Sequence, residues 1–339
     1  MEPSKLILHG ASLAAKHLDP LLASSLSLLK TRWGTGLSDL VRSALAYPES
    51  SIGVYAGDAE SYEVFQDYLL PIVKEYHKVN KLGLQTTDWD AGRLSPLPGV
   101  VRSTRIRVAR NLAGFPFGSM LNKEQRSSAE QLIRSALLKL TGDLKGEYIS
   151  LGDLSEVEAT QLREEHLLFQ KGDKYLEAAG LNQDWPDGRG IFLSQDRRFV
   201  VWVNEEDMLR IISIEQGANL PKVYARLSHA VNQLSQELDF AFHQKLGWLS
   251  SCPSNLGTAM RASVHIQLAS LAKSTQVFES LSKRYRLQVR GTGGEHTASV
   301  NHYYDISNRE RLGLNEQECV HLLARGVAAL VDADQGAKC

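Results

Sequence analysis

Apolar side chains recur every three or four positions through residues 18–31 (LDPLLASSLSLLKT), 37–48 (LSDLVRSALAYP) and 62–77 (YEVFQDYLLPIVKEYH). That is the spacing of amphipathic helices. Residues 6–15 (LILHGASLAA) also predict a helix: a histidine interrupts the run and AAKHLD overlaps its end, which suits a signal peptide poorly. SSIGVYAGDAESY, between the second and third periodic runs, predicts a loop. Residues 81–100 (KLGLQTTDWDAGRLSPLPGV) hold Gly, Pro and Asp without any period and predict a linker. Beyond residue 100 the pattern changes. VVRSTRIRVAR, GIFLSQDRRFVVWV, ASVHIQLAS and YRLQVRG are β-rich, and helical runs at 121–140 and 220–242 stand between them. Strands and helices without strict alternation predict an α+β domain with a mainly antiparallel sheet. The expected division is a helical domain over 1–82, a linker over 83–99 and a larger domain over 100–339, with fraying after Asp332.

Alternation along the strands also sorts the candidate chemistry. In VVRSTRIRVAR it sets Ser103, Arg105 and Arg107 on one face against Thr104, Ile106 and Val108 on the other. In RASVHIQL it sets Arg261, Ser263, His265 and Gln267 against Ala262, Val264, Ile266 and Leu268. Arg290 ends another strand and opens into Gly291-Thr292-Gly293-Gly294, while Arg210 follows VVWVNEED at the start of an expected helix. Taken singly, each arginine fits a solvated face or a local ion pair. Several of them at strand tips and a glycine turn fit a polyphosphate clamp better, because guanidinium is planar, permanently charged and bidentate. The glycine loop is suited to closing over the bound group.

GTGG is neither a P-loop nor a dinucleotide fingerprint, and the protein-kinase motifs are absent. Asn204-Glu205-Glu206-Asp207 follows FVVWV at an expected strand-to-helix junction, and Glu295 follows the glycine loop. Alone, the acidic run would be an ordinary helix N-terminus. Beside the arginines it makes the anionic half of a site whose other half is cationic.

Composition removes some alternatives. The formal net charge of −1 supplies no global field toward nucleic acid or anionic membrane. No apolar run reaches the roughly 20 residues of a membrane span. The three cysteines, Cys252, Cys319 and Cys339, are too few and scattered for a disulfide framework or zinc site, which favours a cytoplasmic compartment. Cys252, just before a proline in SCPSNLGTAMRASVH, is left as nucleophile, metal ligand or buried filler.

NEED with Arg210, CPSNLGT followed by RASVH, RGTGGE and STRIR together resemble the phosphagen (guanidino) kinases. The resemblance runs from the N-terminal helices through DISNRERLGLNE (305–316). It implies a small all-helical N-terminal domain before a larger, glutamine-synthetase-like catalytic domain with an antiparallel sheet flanked by helices. It also implies reversible transfer of the ATP γ-phosphoryl group to a guanidinium, with Mg²⁺ riding on ATP or ADP and no metal ligand from the protein.

The ATP-binding residues it implies are Ser103, Thr104, Arg105, Ile106, Arg107, Arg210, Arg261, Ala262, Ser263, Val264, Arg290, Gly291, Thr292, Gly293 and Gly294, with His166 and His265 against adenosine. Glu206, Glu295 and Cys252 would surround the guanidinium: Glu206 as preferred base, Glu295 as clamp, and Cys252 as a thiolate of lowered pKa. Ser51, Ile52, Gly53, Val54 and Tyr55 resemble the family's specificity loop in its long form. Loop length, Tyr55 and Glu295 point to L-arginine, with MgATP as second substrate; taurocyamine, glycocyamine and lombricine are the rivals, and an inactive nucleotide-binding relative is another. Gly293 departs from the arginine common at its position, and Glu49 and Lys174 replace an Asp and an Arg that join the domains in the family. Monomer and homodimer both stay open.

Overall fold

The computed structural model describes residues 6–90, 92–291 and 301–336. The N-terminal part is built from short helices: α1 (Leu13–Lys16), α2 (Pro20–Leu26), α3 (Leu37–Leu40), α4 (Arg42–Ala46), α5 (Ser61–Val64) and α6 (Gln66–His77). Asp19 caps α2, its carboxylate accepting from the Leu22 N–H, and Pro20 starts the helix where no amide donor is needed. The helix expected over 6–15 is cut to its end, because Ser12 takes the Ala15 N–H and starts α1 there.

The remainder follows as β1 (Val101–Arg110), α7 (Lys123–Leu137), β2 (Gly146–Ser150), α8 (Glu156–Glu164), α9 (Lys174–Ala178), β3 (Gly190–Ser194), β4 (Phe199–Val203), β5 (Leu209–Gln216) and α10 (Leu220–Glu237). Then come β6 (Phe242–His243), β7 (Gly247–Trp248), β8 (Met260–Gln267), α11 (Thr275–Arg284), β9 (Leu287–Gly291), β10 (Tyr303–Asn308) and α12 (Glu316–Gly336). Two expectations give way here. Arg210 lies in β5, not at a helix start, so the NEED run is the turn of a β4–β5 hairpin. The chain does not fray at Asp332, because α12 continues to Gly336 and Asp334 accepts the Ser270 and Leu271 N–H groups.

Eight strands form one sheet in the order β2-β3-β4-β5-β1-β8-β10-β9, every described pair antiparallel. Its main core face carries Ile106, Val108, Val201, Ile211, Ala262, Val264 and Ile306 and packs on α7, α10 and α12. On the opposite face, the β3–β4–β5 end is covered by Leu162 of α8 and Leu167–Phe169, against Ile191, Val200, Trp202 and Ile212. The centre of that second face, β5-β1-β8-β10, carries the arginines.

The N-terminal helices form a separate core that also takes in Phe117, Leu246, Leu249, Cys252, Leu256 and Leu312. The segment around Cys252 is therefore packed with helices that precede it by nearly 200 residues in sequence. Residues 79–100 hold no helix or strand among those described, yet they are docked: Leu97 N–H donates to the Ala218 carbonyl at 2.8 Å and Gln85 N–H to Gln244 at 2.7 Å.

Candidate active site

Strand register concentrates positive charge. Arg107 stands directly opposite Arg261 in the β1–β8 ladder, and Arg210 sits on neighbouring β5 opposite Ala109. Like charges directly opposite in a sheet repel. Burial and the neighbouring guanidinium groups of Arg210, Arg105, Arg261 and Arg311 push the Arg107 pKa well below its ordinary value. Burial, with Arg261 and Arg210, brings Arg105 down to about 10. Arg107, Arg210, Arg261 and Arg311 line one crevice. Among the described residues, Arg105 Nη2, Arg261 Nε and Arg311 Nε are buried without an acceptor. Buried donors normally find partners, so this face is short of acceptors and short of negative charge. An anion with several oxygens would supply both.

Four of the expected ATP-binding residues have side chains on the wrong side. Thr104, Ile106, Ala262 and Val264 point into the far core, and the Thr104 hydroxyl is spent on the Gly217 carbonyl at 2.8 Å. Alternation puts them there, so only their main chain is available to the site. Ser103, Arg105, Arg107, Arg210, Arg261, Ser263 and His265 share the site face. Arg290 pairs in register with Asp305, and Gly291 closes β9. Thr292, Gly293, Gly294 and Glu295 lie outside the described residues.

The acidic turn meets this face at its edge. Asn204 turns the chain at φ 55°, its N–H donating to Met208 O at 2.9 Å. Arg210 bridges the two glutamates, reaching Glu205 at 2.8 Å and Glu206 at 2.6 Å. Burial, reinforced by the charges of Asp207 and Glu205, pushes the Glu206 carboxyl up to about 7 against the pull of Arg210 and Arg107. Asp207 is buried and accepts from Asn111 Nδ2 at 2.7 Å, Ser250 Oγ at 2.8 Å and the Ser251 N–H at 2.8 Å. It fastens the acidic turn to the segment bearing Cys252.

Cys252 is 6% exposed, and its Sγ lies 3.1 Å from Ser254 Oγ. The expected thiolate is not what the protein itself creates. Burial, and next the Glu206 carboxylate, push the thiol up to about 12, outweighing the Ser254 hydrogen bonds that lower it. Glycine is required just beyond: Gly257 has φ +90°, and a Cβ there would come within 2.1 Å of the Arg311 carbonyl oxygen.

The 51–55 loop reaches the same place. Ile52 and Val54 turn their side chains into the N-terminal core, and Gly53 (φ +81°) is wedged against Ala44 and Ala14, where a Cβ would lie 2.8 and 3.0 Å from theirs. Tyr55 is the side chain that faces the site. Burial raises its phenol pKa well above the usual value, and the nearby ionisable groups of Cys252 and Glu206 act in the same direction. Beside this loop, Lys174 Nζ meets Glu49 at 2.5 Å and lies over the Tyr47 and Tyr175 rings at 4.7 and 5.0 Å, tying α9 to the N-terminal helices.

His166 lines a cavity of about 280 Å³ with Arg105, Trp202 and Glu205. The guanidinium groups of Arg105 and Arg210 lie 5.4 and 5.7 Å from the centre of the Trp202 ring, whose indole N–H donates to Leu167 O at 2.7 Å. Burial lowers the His265 pKa, while the nearby Asp305 carboxylate opposes that shift. A roomier hollow of about 630 Å³ lies between Trp89, Gly92 and Leu94 and α10, but among the described residues its lining carries no Asp, Glu, Lys or Arg.

Sequence reasoning missed Asp305, which holds Arg261 at 2.6 Å from β10, and Arg311, which donates to Ser254 O at 3.0 Å and to Asn255. Alternation in YYDISN could have flagged Asp305, since β10 sets it opposite both His265 and Arg290. Arg311 lies beyond any strand and carried no periodic signal. Among the described residues no group of three or more His, Cys, Asp or Glu side chains is arranged to hold a metal ion, and no helix is long and apolar enough to cross a membrane.

Two family models match the chain: "ATP:guanido phosphotransferase, N-terminal domain" over residues 9–74 and "ATP:guanido phosphotransferase, C-terminal catalytic domain" over 128–337. An arginine kinase of Anthopleura japonica is 44% identical over 335 residues, which take in 96% of this chain and 47% of that protein. Arginine kinase Oct f 2 of Amphioctopus fangsiao is 43% identical over 326 residues, or 94% of this chain and 93% of its own. A crystal structure of lombricine kinase superposes with a TM-score of 0.91 at 36% identity, covering 97% of this chain and 93% of that one.

Proposed function

The chain belongs to the ATP:guanido phosphotransferase family, and on that premise we propose that it transfers the γ-phosphoryl group of ATP reversibly to the guanidinium of L-arginine. The observation that carries this reading is the acceptor-poor arginine face meeting the glutamates, Cys252 and Tyr55 along one edge. One half fits an anionic chain of phosphates and the other a cationic guanidinium.

Transfer between them needs alignment and charge neutralisation more than covalent participation by the protein. Arg105, Arg107, Arg210, Arg261 and Arg290 hold the phosphates, and His166 and His265 border the adenosine. Mg²⁺ enters with the nucleotide as part of the substrate and neutralises phosphate charge. Guanidinium is a very weak acid, so the attacking nitrogen must lose its proton as the new N–P bond forms. Glu206, held up to about 7, is suited to take it. Glu295, which lies outside the described residues, takes the role of clamp on the family resemblance alone.

Cys252 stands at the same edge as a third partner; burial first and Glu206 next hold its thiol protonated, and a guanidinium charge beside it pulls in the opposite direction. Its contribution is positional and electrostatic. Cys252→Ala should therefore retain measurable turnover, reduced about 10–100-fold as for one charge-assisted contact. Complete loss of turnover in a folded Cys252→Ala protein would point instead to a covalent nucleophile.

Substrate choice is tested with MgATP and a panel of L-arginine, taurocyamine, glycocyamine and lombricine, read as ADP release. L-Arginine should give the highest kcat/KM, by at least about tenfold, the low end of what a pocket gains from a one-methylene difference in fit. Lombricine belongs in the panel because a solved lombricine kinase has nearly the same fold. A shorter guanidine turned over faster than L-arginine would overturn the assignment.

A further inference from the structure

The segment Ser250–Ser254 is gripped from two sides, and the grip from the N-terminal helices falls on its carbonyl oxygens. Tyr62 of α5 donates its hydroxyl to Ser250 O at 2.7 Å. The Ala56 N–H, next to the specificity loop, donates to Ser251 O at 2.7 Å. At the last residue of α6, His77 Nε2 lies 2.9 Å from Pro253 O. From the other side, Asp207 takes the Ser251 N–H and the Ser250 hydroxyl. Cys252 sits between the Ser251 and Pro253 attachment points.

We propose that His77 is a positioning residue that pins the Cys252 turn to helix α6, so that the N-terminal helices set where the thiol stands relative to Glu206. A carbonyl oxygen only accepts, so Nε2 carries the ring proton and the imidazole is a neutral donor. Its other nitrogen, Nδ1, is buried with no partner among the described residues. The ring is 3% exposed. Burial holds its pKa down to about 4, with the Arg311 charge acting the same way. The donor form is therefore the form present throughout the neutral range.

An apolar residue would fill this core position as well as histidine and would leave no orphaned Nδ1. What it would lose is the bond to Pro253. Tyr62 and the Ala56 amide secure only the residues before Cys252. Pro253 itself has no N–H with which to anchor the turn. Beyond the thiol, Arg311 holds the Ser254 carbonyl and Asn255 from the larger domain, and the His77 bond to Pro253 ties the same side to α6. The inference rests on the placement of Cys252 at the guanidine edge only for its catalytic consequence, not for the geometry.

The test compares His77→Leu and His77→Gln, both on a Cys339→Ser background so that iodoacetamide reports on Cys252, since Cys319 is fully buried. Leucine removes the donor, and glutamine keeps an N–H. Alkylation of Cys252 should speed up by about tenfold in His77→Leu, the scale of one lost hydrogen bond. It should return to within about threefold of the parent in His77→Gln. Alkylation unchanged in His77→Leu would overturn the proposal. So would acceleration in both variants that simply follows their loss of Tm, because general loosening needs no specific bond.

Guanidino-substrate kinetics measured in parallel separate this from the functional reading. A rise in substrate KM alongside faster alkylation supports both. Faster alkylation with kcat and KM unchanged keeps His77 as the anchor and removes Cys252 from the substrate site.

Discussion

Glu206→Gln should lower kcat by about 10²–10⁴-fold, the contribution of a positioned general base, while ADP affinity stays within a few-fold of the parent. Arg210 keeps Glu205 at 2.8 Å in the variant, so the phosphate face is not left without its acidic counterweight. The pH dependence sharpens the expectation. The Glu206 carboxyl is pushed from 4.5 to about 7, chiefly by burial, so its basic form accumulates as pH rises through about 7. For the parent enzyme, kcat/KM in the direction of guanidine phosphorylation should climb through about pH 7, where it is half-maximal, and level off about one unit above. Glu206→Gln should lose that limb.

The same shift carries a stability signature of opposite sense. A carboxyl whose folded pKa is raised contributes stability below its ordinary 4.5 and loses that contribution as pH rises through the folded value of about 7. Glu206→Gln, neutral at every pH, should therefore have a Tm at pH 8 at least equal to the parent's, although it is the less active protein. Calorimetric melts and a pH–rate profile check both halves. Turnover near the parent level in the variant would remove Glu206 as the base.

Arg261→Ala should weaken ADP binding by about 10–100-fold, corresponding to about 1.5–3 kcal/mol for a hydrogen bond to a charged group. Arg261 is 6% exposed, and Asp305 holds one arm of its guanidinium at 2.6 Å while its Nε is left without an acceptor. The aspartate thus fixes the guanidinium by one arm and leaves its Nε edge free, which suits an anion on the proposed reading. Truncation also strands the Asp305 carboxylate, and an unpaired buried charge is costly.

The double substitution Arg261→Ala/Asp305→Asn removes the stranded charge and separates the two effects. It should recover Tm without recovering ADP affinity. Isothermal titration at two salt concentrations checks this, and an affinity equal to the parent's in Arg261→Ala would sink the phosphate clamp. Repulsion among Arg107, Arg261 and Arg210 predicts in addition that ADP raises Tm, because a ligand that binds only the folded state stabilises it.

Much of the arginine face is legible in the sequence. A strand repeats every two residues, so the position of Arg105 states the side of Arg107, and the apolar residues between them state which side is core. The same rule should have removed the side chains of Thr104, Ile106, Ala262 and Val264 from the site, but a sequence motif is contiguous whereas a face is not. Arg210 went to a helix because NEED looks like an acidic helix N-terminus. The hairpin won because Leu209–Gln216 had the β4 edge to pair with, and local propensity yields to such a partner. The lowered thiol pKa expected for Cys252 failed for a related reason. Polar neighbours along the chain say nothing about how completely a group is taken out of water.

By itself, the sequence determined the alternation that gathers Arg105 and Arg107, the change from helical to strand period near residue 100, and the motifs that carry the family resemblance. These are properties of neighbours along the chain, set by backbone geometry and side-chain chemistry. Only the tertiary structure decided that Arg107 faces Arg261, that Asp305 and Arg311 join them, and that Tyr62 and His77 hold the turn bearing Cys252. Those relations join residues dozens to nearly 200 positions apart. They depend on strand register and on the packing of two cores, which no local pattern encodes.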